Sequence, residues 1–207
     1  MDRKTIKELY IEYGLVDICS VQPSIKSDIK YSTPNNFTSK VLYPENIGLF
    51  CVPAMAEAIA RAQDDLKAIN EDLSLVIFDA ARPLSVQRQM FDLVKGTKNE
   101  RFVANPDGEN TGGFHNYGLA VDVAIVDKNG ETLDFGTNYD SFDELAHSGD
   151  EASLVKTGKL SNMAYKNRLL LYYVMGKNGM YPHEYEWWHF QLDYDEGAKK
   201  RYKLLDF

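Results

Sequence analysis

The sequence predicts one α+β domain that spans residues 1–207. The chain is long enough to bury one hydrophobic core, and its 44% hydrophobic and 26% charged residues are typical of a globular protein. Segments with a helical spacing of apolar residues and segments of strand length both occur. No internal repeat, low-complexity tract or linker divides them, so one domain is the simplest interpretation.

The first half of the chain mixes helical and strand-like patterns. Apolar residues three and four positions apart predict helices, and short apolar runs predict strands. Pro83 helps to set the start of one helix, because its fixed φ suits a first turn. The patterns predict a short helix within residues 1–15, broken strand-like structure over 16–43, an amphipathic helix over 53–69, a strand over 73–78 and a helix over 85–94.

The second half of the chain is richer in loops. Glycine, asparagine and proline recur through residues 96–113, which predicts a long loop of the kind that is usually functional or mobile. The later patterns predict a strand over 119–126, a hairpin-type turn at 127–130, irregular structure over 131–160, a helix over 164–175 ended by Gly176 and Gly179, a strand over 187–192 and a solvated basic tail at 199–203.

Charge and hydropathy restrict the partners of the chain. A formal net charge of −8 argues against a nucleic-acid binder, which normally carries a basic surface. No segment is long and apolar enough to span a bilayer, and residues 1–15 contain no apolar run of signal-peptide length. As given, the chain is expected to be cytoplasmic; a chain from which a leader had been removed would look the same and would be periplasmic or exported. The sequence carries no indication of oligomeric state.

The two cysteines, Cys19 and Cys51, do not form a C-x-x-C motif. A zinc ribbon and a thioredoxin-type site are therefore excluded. We expect two buried free thiols, with a single disulfide between them as the open alternative.

Two distant segments supply candidate metal ligands. His115 follows a glycine-rich loop, and Asp122 lies seven residues later, where Gly118 lets the backbone bend between them. Taken alone, these two residues indicate a metal site no more strongly than a structural histidine that is hydrogen-bonded at the start of a strand. His189 adds a third ligand, and three such ligands leave the fourth tetrahedral position of zinc open, as in catalytic sites.

Glu186 lies three residues before His189. On a regular strand this spacing would place the two side chains on opposite faces. We therefore expect a bulge or turn at Trp187 and Trp188 if Glu186 serves the site, with both tryptophans packed in the core. A glutamate that lies near a metal without binding it can accept the proton of an attacking water.

Arg82 lies where a predicted strand ends and the next helix begins. A guanidinium at this place can meet the oxyanion of a tetrahedral intermediate or the carboxylate of a substrate. A surface salt bridge is the equally weighted alternative.

Five motifs in the chain together resemble those of D-alanyl-D-alanine dipeptidases of the vancomycin-resistance type. These enzymes are zinc peptidases of family M15 and share a fold with the hedgehog signalling domain. The resemblance covers about residues 31–192 and implies a mostly antiparallel central sheet with flanking helices. The motifs are N-N-F-T at 35–38, D-A-A-R-P at 79–83, H-x-x-G-x-A-x-D at 115–122, L-D-F-G-T-N-Y-D at 133–140 and E-W-W-H at 186–189.

The resemblance also implies a function and a role for each site residue. The implied reaction is hydrolysis of the small dipeptide D-Ala-D-Ala, with Glu186 as general base and then general acid. Arg82 would stabilise the oxyanion, and Asp140 would pair with the free ammonium of the dipeptide. The implied cofactor is one zinc ion per chain, held by His115, Asp122 and His189.

The chain departs from the family pattern close to the expected substrate pocket. Gly113 replaces the usual serine two residues before the first zinc histidine, and Phe114 replaces a residue that is often small or polar. Ala81 replaces the usual aromatic residue before the arginine. We expect Phe114 to contact the substrate, and we expect His147 and His183 at the surface or beside the ligands.

Two other functions remain open alternatives. A peptidoglycan D,D- or L,D-carboxypeptidase would use the same zinc site with an open amino side. Asp140 distinguishes the two activities: a dipeptidase should reject an N-acylated substrate, and a carboxypeptidase should accept it. A non-catalytic zinc-binding module would use the fold for recognition, and Glu186 and Arg82 argue against it.

Overall fold

A five-stranded sheet forms the centre of the computed structural model, which describes residues 4–44, 46–108, 111–193 and 196–207. In spatial order its strands are β2 (Lys26–Ser27), β4 (Ser74–Asp79), β5 (Ala120–Val126), β7 (Glu186–Gln191) and β6 (Tyr181–His183). The first two are parallel, and the other neighbouring strands are antiparallel. A separate antiparallel pair is formed by β1 (Val16–Asp17) and β3 (Phe50–Cys51). The predicted α+β fold with a mostly antiparallel sheet is confirmed.

Helices pack around this sheet. The α-helices of the described residues are α1 (Ile6–Glu12), α2 (Ile18–Val21), α3 (Pro53–Ile69), α4 (Leu84–Val94), α5 (Glu151–Lys156) and α6 (Asn162–Lys177). Short 3-10 helices lie at Lys30–Ser32, Glu100–Phe102, Phe114–Tyr117, Glu144–Ala146 and Glu196–Arg201. Among the helices of the described ranges, none combines the length and the apolar character that crossing a membrane requires.

Helix α3 shows how the sequence pattern produces the core. Pro53 occupies the first turn, where the missing N–H donor costs nothing. One face of the helix carries small and aliphatic side chains and contacts β4 and α6. Every residue of β4 and β5 is buried, because these strands lie inside the sheet with side chains packed on both faces. Strand β5, which carries Asp122, is therefore firmly held.

The structure differs from the predicted elements where a helix is short. Helix α2 lies in the segment predicted to be broken and strand-like, and α5 lies in the segment predicted to be irregular. Neither helix is long enough to display a helical period in the sequence. The start of α2 is set locally, because the Asp17 carboxylate accepts a hydrogen bond from the Cys19 N–H.

The longer elements agree with their predicted bounds to within two residues at each end. Helix α6 continues to Lys177, so the prediction that Gly176 ends it is wrong. Gly179 follows the helix with φ +79°, a conformation that glycine adopts readily. The loop predicted over 96–113 contains the 3-10 helix at Glu100–Phe102, and its residues 109–110 lie outside the described ranges.

The two cysteines lie in different elements, Cys51 in β3 and Cys19 in α2. Cys51 is buried, Cys19 is partly buried, and both are free thiols, so the disulfide alternative does not hold. Burial raises the pKa of both thiols, which keeps them protonated and poorly nucleophilic near neutral pH.

The C-terminal tail packs back against the body of the protein. The Leu205 N–H donates to the Asn116 carbonyl, and the Leu205 carbonyl accepts from the Leu84 N–H. Lys199 is only 4% exposed, so the prediction of a solvated basic tail is wrong at this residue. Its ammonium donates to the carbonyl of Gly112, a partner that sequence alone does not reveal.

Candidate metal centre and cleft

Three side chains from the middle and the end of the chain converge in a buried cluster. His115 lies in the 3-10 helix Phe114–Tyr117, just before β5, and Asp122 and His189 are cross-strand partners on β5 and β7. Asp122 Oδ1 lies 3.2 Å from His115 Nε2 and 3.3 Å from His189 Nδ1. The ligand atoms all lie within 4.8 Å of one another, so they can bind one ion.

Hydrogen bonds behind the ligands fix which atoms face the centre. His115 Nδ1–H donates to the Ala80 carbonyl at 2.7 Å, and His189 Nε2–H donates to Gln191 Oε1 at 3.2 Å. Tyr139 donates its hydroxyl hydrogen to Asp122 Oδ2 at 2.9 Å. With these tautomers, two unprotonated ring nitrogens and a carboxylate oxygen point at the same position. Such a set of electron-pair donors fits a cation, and its composition suits zinc.

The electrostatics favour the protonation states that a metal needs. Burial alone would raise the pKa of Asp122, but His115 and His189 hold that pKa well below its usual value. Burial also lowers the pKa of His189. The aspartate is therefore ionised, and a metal would bind by displacing the protons shared between it and the two histidines.

Glu186 lies beside this cluster on β7. Its Oε2 is 3.6 Å from His189 Nδ1, and its side chain remains 21% exposed at the cleft wall. The pairing of β6 and β7 shifts register between the Pro182–Phe190 and His183–Glu186 pairs. This irregularity across the intervening tryptophans is what places Glu186 and His189 on one side. Burial raises the pKa of Glu186 well above its usual value, and Asp122 adds to the effect.

Both tryptophans of this segment are buried, as predicted. Trp187 stacks on Phe135 with ring centroids 4.2 Å apart, and its indole N–H donates to Thr137 Oγ1. Trp188 contacts Tyr139 edge to face. The two rings thereby attach β7 to the loop that follows β5.

Arg82 is held rigidly at the cleft wall. Its Nε and Nη2 donate to Asp79 Oδ2, and its Nη1 donates to Gln87 Oε1. The pair with Asp79 is buried, so the alternative of a surface salt bridge does not hold. Burial disfavours the charged form, but Asp79 keeps the pKa of Arg82 well above its usual value. A permanent positive charge therefore lies 3.8 Å from Asp122, measured from Nη2 to Oδ2.

Asp140 lies in the loop after β5 with φ +59°, a conformation that few non-glycine residues adopt. Its Oδ1 accepts the Tyr31 hydroxyl at 3.0 Å, and its Oδ2 accepts the Phe37 N–H at 3.1 Å. Asn36 orders the Phe37 loop by donating to the carbonyls of Lys30 and neighbouring loop residues. Burial raises the pKa of Asp140 to about 7. Strained backbone of this kind concentrates at functional sites.

A cleft of about 870 Å³ connects these groups. Arg82, Asp140 and Glu186 line it together with the three candidate ligands, so the structure brings every predicted site residue to one place. Phe114 also lines the cleft and is 6% exposed. At Gly113 a side-chain Cβ would lie 3.2 Å from the Ala104 methyl group, so this methyl occupies space that a serine there would need.

The two remaining histidines lie near the cleft rather than at the centre. The ring of His183 lies 5.1 Å from that of His189 and faces the cleft, which agrees with the expected position beside the ligands. His147 packs between Phe102 and Tyr185.

Several supporting residues were missed by sequence reasoning. Asp79 and Gln87 hold Arg82, and Tyr139 holds Asp122. Asp79 and Tyr139 lie inside the motifs at 79–83 and 133–140, so the motifs contained a signal for them. Gln191 is two residues beyond His189, and nothing in its own sequence context indicates that it orients the ring.

Two histidines, a carboxylate and a neighbouring glutamate at the wall of a cleft are the groups that a metal-dependent hydrolase needs. The chain belongs to a family of such enzymes. The model of peptidase family M15, described as D-Ala-D-Ala dipeptidase, matches residues 11–205.

Curated relatives agree with this family. The chain is 29% identical to a D-alanyl-D-alanine dipeptidase of Escherichia coli K12, over 86% of this chain and 84% of the relative. It is 24% identical to one of Enterococcus faecalis V583 and 25% identical to one of Enterococcus faecium, each over 88% of this chain and 93% of the relative. The chain is thus a metallopeptidase, and its family supports the hydrolysis of dipeptides.

Proposed function

We propose that this chain hydrolyses D-Ala-D-Ala with a zinc ion held by His115, Asp122 and His189. The observation that carries the proposal is the shared cleft: the three ligand residues, Glu186 and Asp140 all line one cavity. In this proposal Glu186 serves the chemistry, and Asp140 recognises the amine of the substrate. The names of the curated relatives support the choice of substrate.

Zinc, when bound, supplies Lewis acidity that lowers the pKa of water and polarises a carbonyl group. Glu186 accepts the proton of the attacking water and returns it to the leaving amine. Its raised pKa suits this role, because the carboxyl group must hold the proton between the two transfers. Its position at the cleft wall gives it access to both water and substrate.

Arg82 stabilises the oxyanion that forms during the attack. A guanidinium has five N–H groups, and three of them bind Asp79 and Gln87 among the described contacts. Because these bonds hold the plane of the guanidinium, the directions of its other two N–H groups are fixed as well. A preorganised charge stabilises the transition state without reorganising when the reaction occurs.

Asp140 selects a dipeptide with a free amine. Its carboxylate already accepts hydrogen bonds from Tyr31 and Phe37, and a substrate ammonium would add a charged donor. An N-acylated peptide lacks that charge and would leave the carboxylate without a counterion. This favours a dipeptidase over a carboxypeptidase that acts on longer stems.

The test is a panel of free and N-acetylated D,D-, L,D- and L,L-dipeptides, assayed with and without a chelator. We expect chelator-sensitive hydrolysis of free D-Ala-D-Ala and rejection of its N-acetyl derivative. Efficient turnover of the acetylated peptide would instead identify a carboxypeptidase. No hydrolysis of any peptide by the zinc-loaded protein would favour a binding module.

A further inference from the structure

Lys199 occupies a buried position beside the segment that leads to His115. Its Nζ donates to the Gly112 carbonyl at 3.0 Å. The same ammonium lies 5.5 Å from the ring centroid of Phe114 and 5.6 Å from that of Tyr117. Lysine is rarely buried to 4% exposure, and here a carbonyl and two aromatic faces replace water around the charge.

The carbonyl that Lys199 binds belongs to a tight turn. Gly112 has φ +68°, and a Cβ at this position would lie 2.4 Å from Asn116 Oδ1. The Gly112 N–H donates to the Asn105 carbonyl, and the Gly113 N–H donates to Asn116 Oδ1. Lys199 supplies the partner for the carbonyl of this turn. The turn at Gly112 determines where the 3-10 helix that carries His115 begins.

The same C-terminal segment is attached to the metal-binding helix at a second point. Leu205 N–H donates to the Asn116 carbonyl at 2.9 Å, and Leu205 is fully buried. The Asn116 side chain donates to the Arg82 carbonyl at 2.8 Å. The tail therefore fixes the helix of His115 relative to the connection between β4 and α4 that carries Arg82.

We propose that Lys199 is a positioning residue for the metal centre. Its ammonium holds the Gly112 turn and, through that turn, the orientation of His115. The inference rests on the proposed zinc site, but it concerns the affinity for the metal rather than the reaction. Lys199 acts through His115.

The experiment compares Lys199→Met with the control Lys200→Met, an exposed residue of the same 3-10 helix. Zinc affinity is measured by competition with a chromophoric chelator. We expect Lys199→Met to weaken zinc binding about 10- to 100-fold, as loss of a residue that orients a metal ligand does. Lys200→Met should bind zinc like the wild type, and Lys199→Arg should restore most of the affinity.

Kinetics at saturating zinc provide a second readout. We expect Lys199→Met to lower kcat more than it changes KM for D-Ala-D-Ala, because Asp140 lies on a different loop. Wild-type zinc affinity in folded Lys199→Met would overturn the inference. If that variant does not fold, the same zinc titration is made with Lys199→Gln, which keeps a donor without the charge. Weakened zinc binding in this variant would support the inference, and wild-type affinity would overturn it. A wild-type protein that binds no zinc would instead overturn the proposed function.

Discussion

The Asp122 carboxylate is the most constrained group of the site. Its Oδ1 faces both candidate histidine ligands, and its Oδ2 accepts the Tyr139 hydroxyl. A buried carboxylate is costly unless it is paired, and here each oxygen has a defined partner. Because His115 and His189 hold its pKa well below the usual value, this aspartate is ionised in the folded protein near neutral pH, and the Arg82 guanidinium lies 3.8 Å away.

Glu186 offers the sharpest test at a single residue. Glu186→Gln keeps the shape of the side chain but cannot accept a proton. We expect zinc affinity close to that of the wild type and a fall in kcat of about 10²- to 10⁴-fold. The measurements are zinc content after dialysis and steady-state hydrolysis of D-Ala-D-Ala. Turnover at the wild-type rate would exclude Glu186 as the general base.

Asp140 predicts a pH dependence of substrate binding. Its pKa is raised to about 7, so the carboxylate is protonated below that pH and charged above it. We expect KM for D-Ala-D-Ala to fall as the pH rises through about 7, because the charged form binds the ammonium. In Asp140→Asn this change should disappear, and KM should rise about tenfold or more, since a hydrogen bond to a charged group is lost. A variant whose KM keeps the wild-type pH dependence would contradict the assignment.

At the scale of elements, the segment between β5 and α6 is organised by one buried arginine. Arg168 of α6 is fully buried and donates to the carbonyls of Phe135, Leu145 and His147. Its guanidinium also lies 3.9 Å from Glu151. A single side chain therefore holds this segment on both sides of Asp140.

We expect Arg168→Met to destabilise the protein and to disturb substrate binding. Removing one member of a buried charged network costs about 3–5 kcal/mol, and the loop carbonyls would lose their donor. Urea unfolding measures the first effect, and KM for D-Ala-D-Ala measures the second. Lys166→Met, an exposed change on the same helix, serves as the control. Equal unfolding free energies for the two variants would contradict this role for Arg168.

The elements also show what a sequence can predict and what it cannot. Long periodic segments such as α3 and β5 were predicted because each burial pattern repeats over several turns or residues. His115, Asp122 and His189 were predicted because their types and spacing match the needs of a metal. The contacts that orient them were not predictable in the same way. The Ala80 carbonyl has no side-chain signature, and Lys199 meets Gly112 only after 86 intervening residues have folded.

Across the whole molecule, the site exists only when the fold is complete. Its candidate ligands come from β5, β7 and the helix before β5, while Asp140 comes from a loop and Arg82 from the connection between β4 and α4. The C-terminal tail then bonds to the helix of His115. Binding of a metal to the ligands should therefore be coupled to the stability of the whole chain, since the unfolded chain does not bring them together.

We expect removal of zinc to lower the melting temperature. At a free zinc concentration 1,000 times Kd, binding stabilises the folded state by about 4 kcal/mol. For a protein of this size, each kcal/mol corresponds to about 2–4 °C, so a chelator should lower the melting temperature by roughly 10 °C.

The shift in melting temperature should shrink as the pH falls, because the histidine ligands must be neutral to bind. Glu186→Gln should keep the shift and Asp122→Asn should lose it, because in the proposed site Asp122 is a ligand of the metal and Glu186 is not. Identical melting curves with and without the chelator would show that the cluster does not bind zinc.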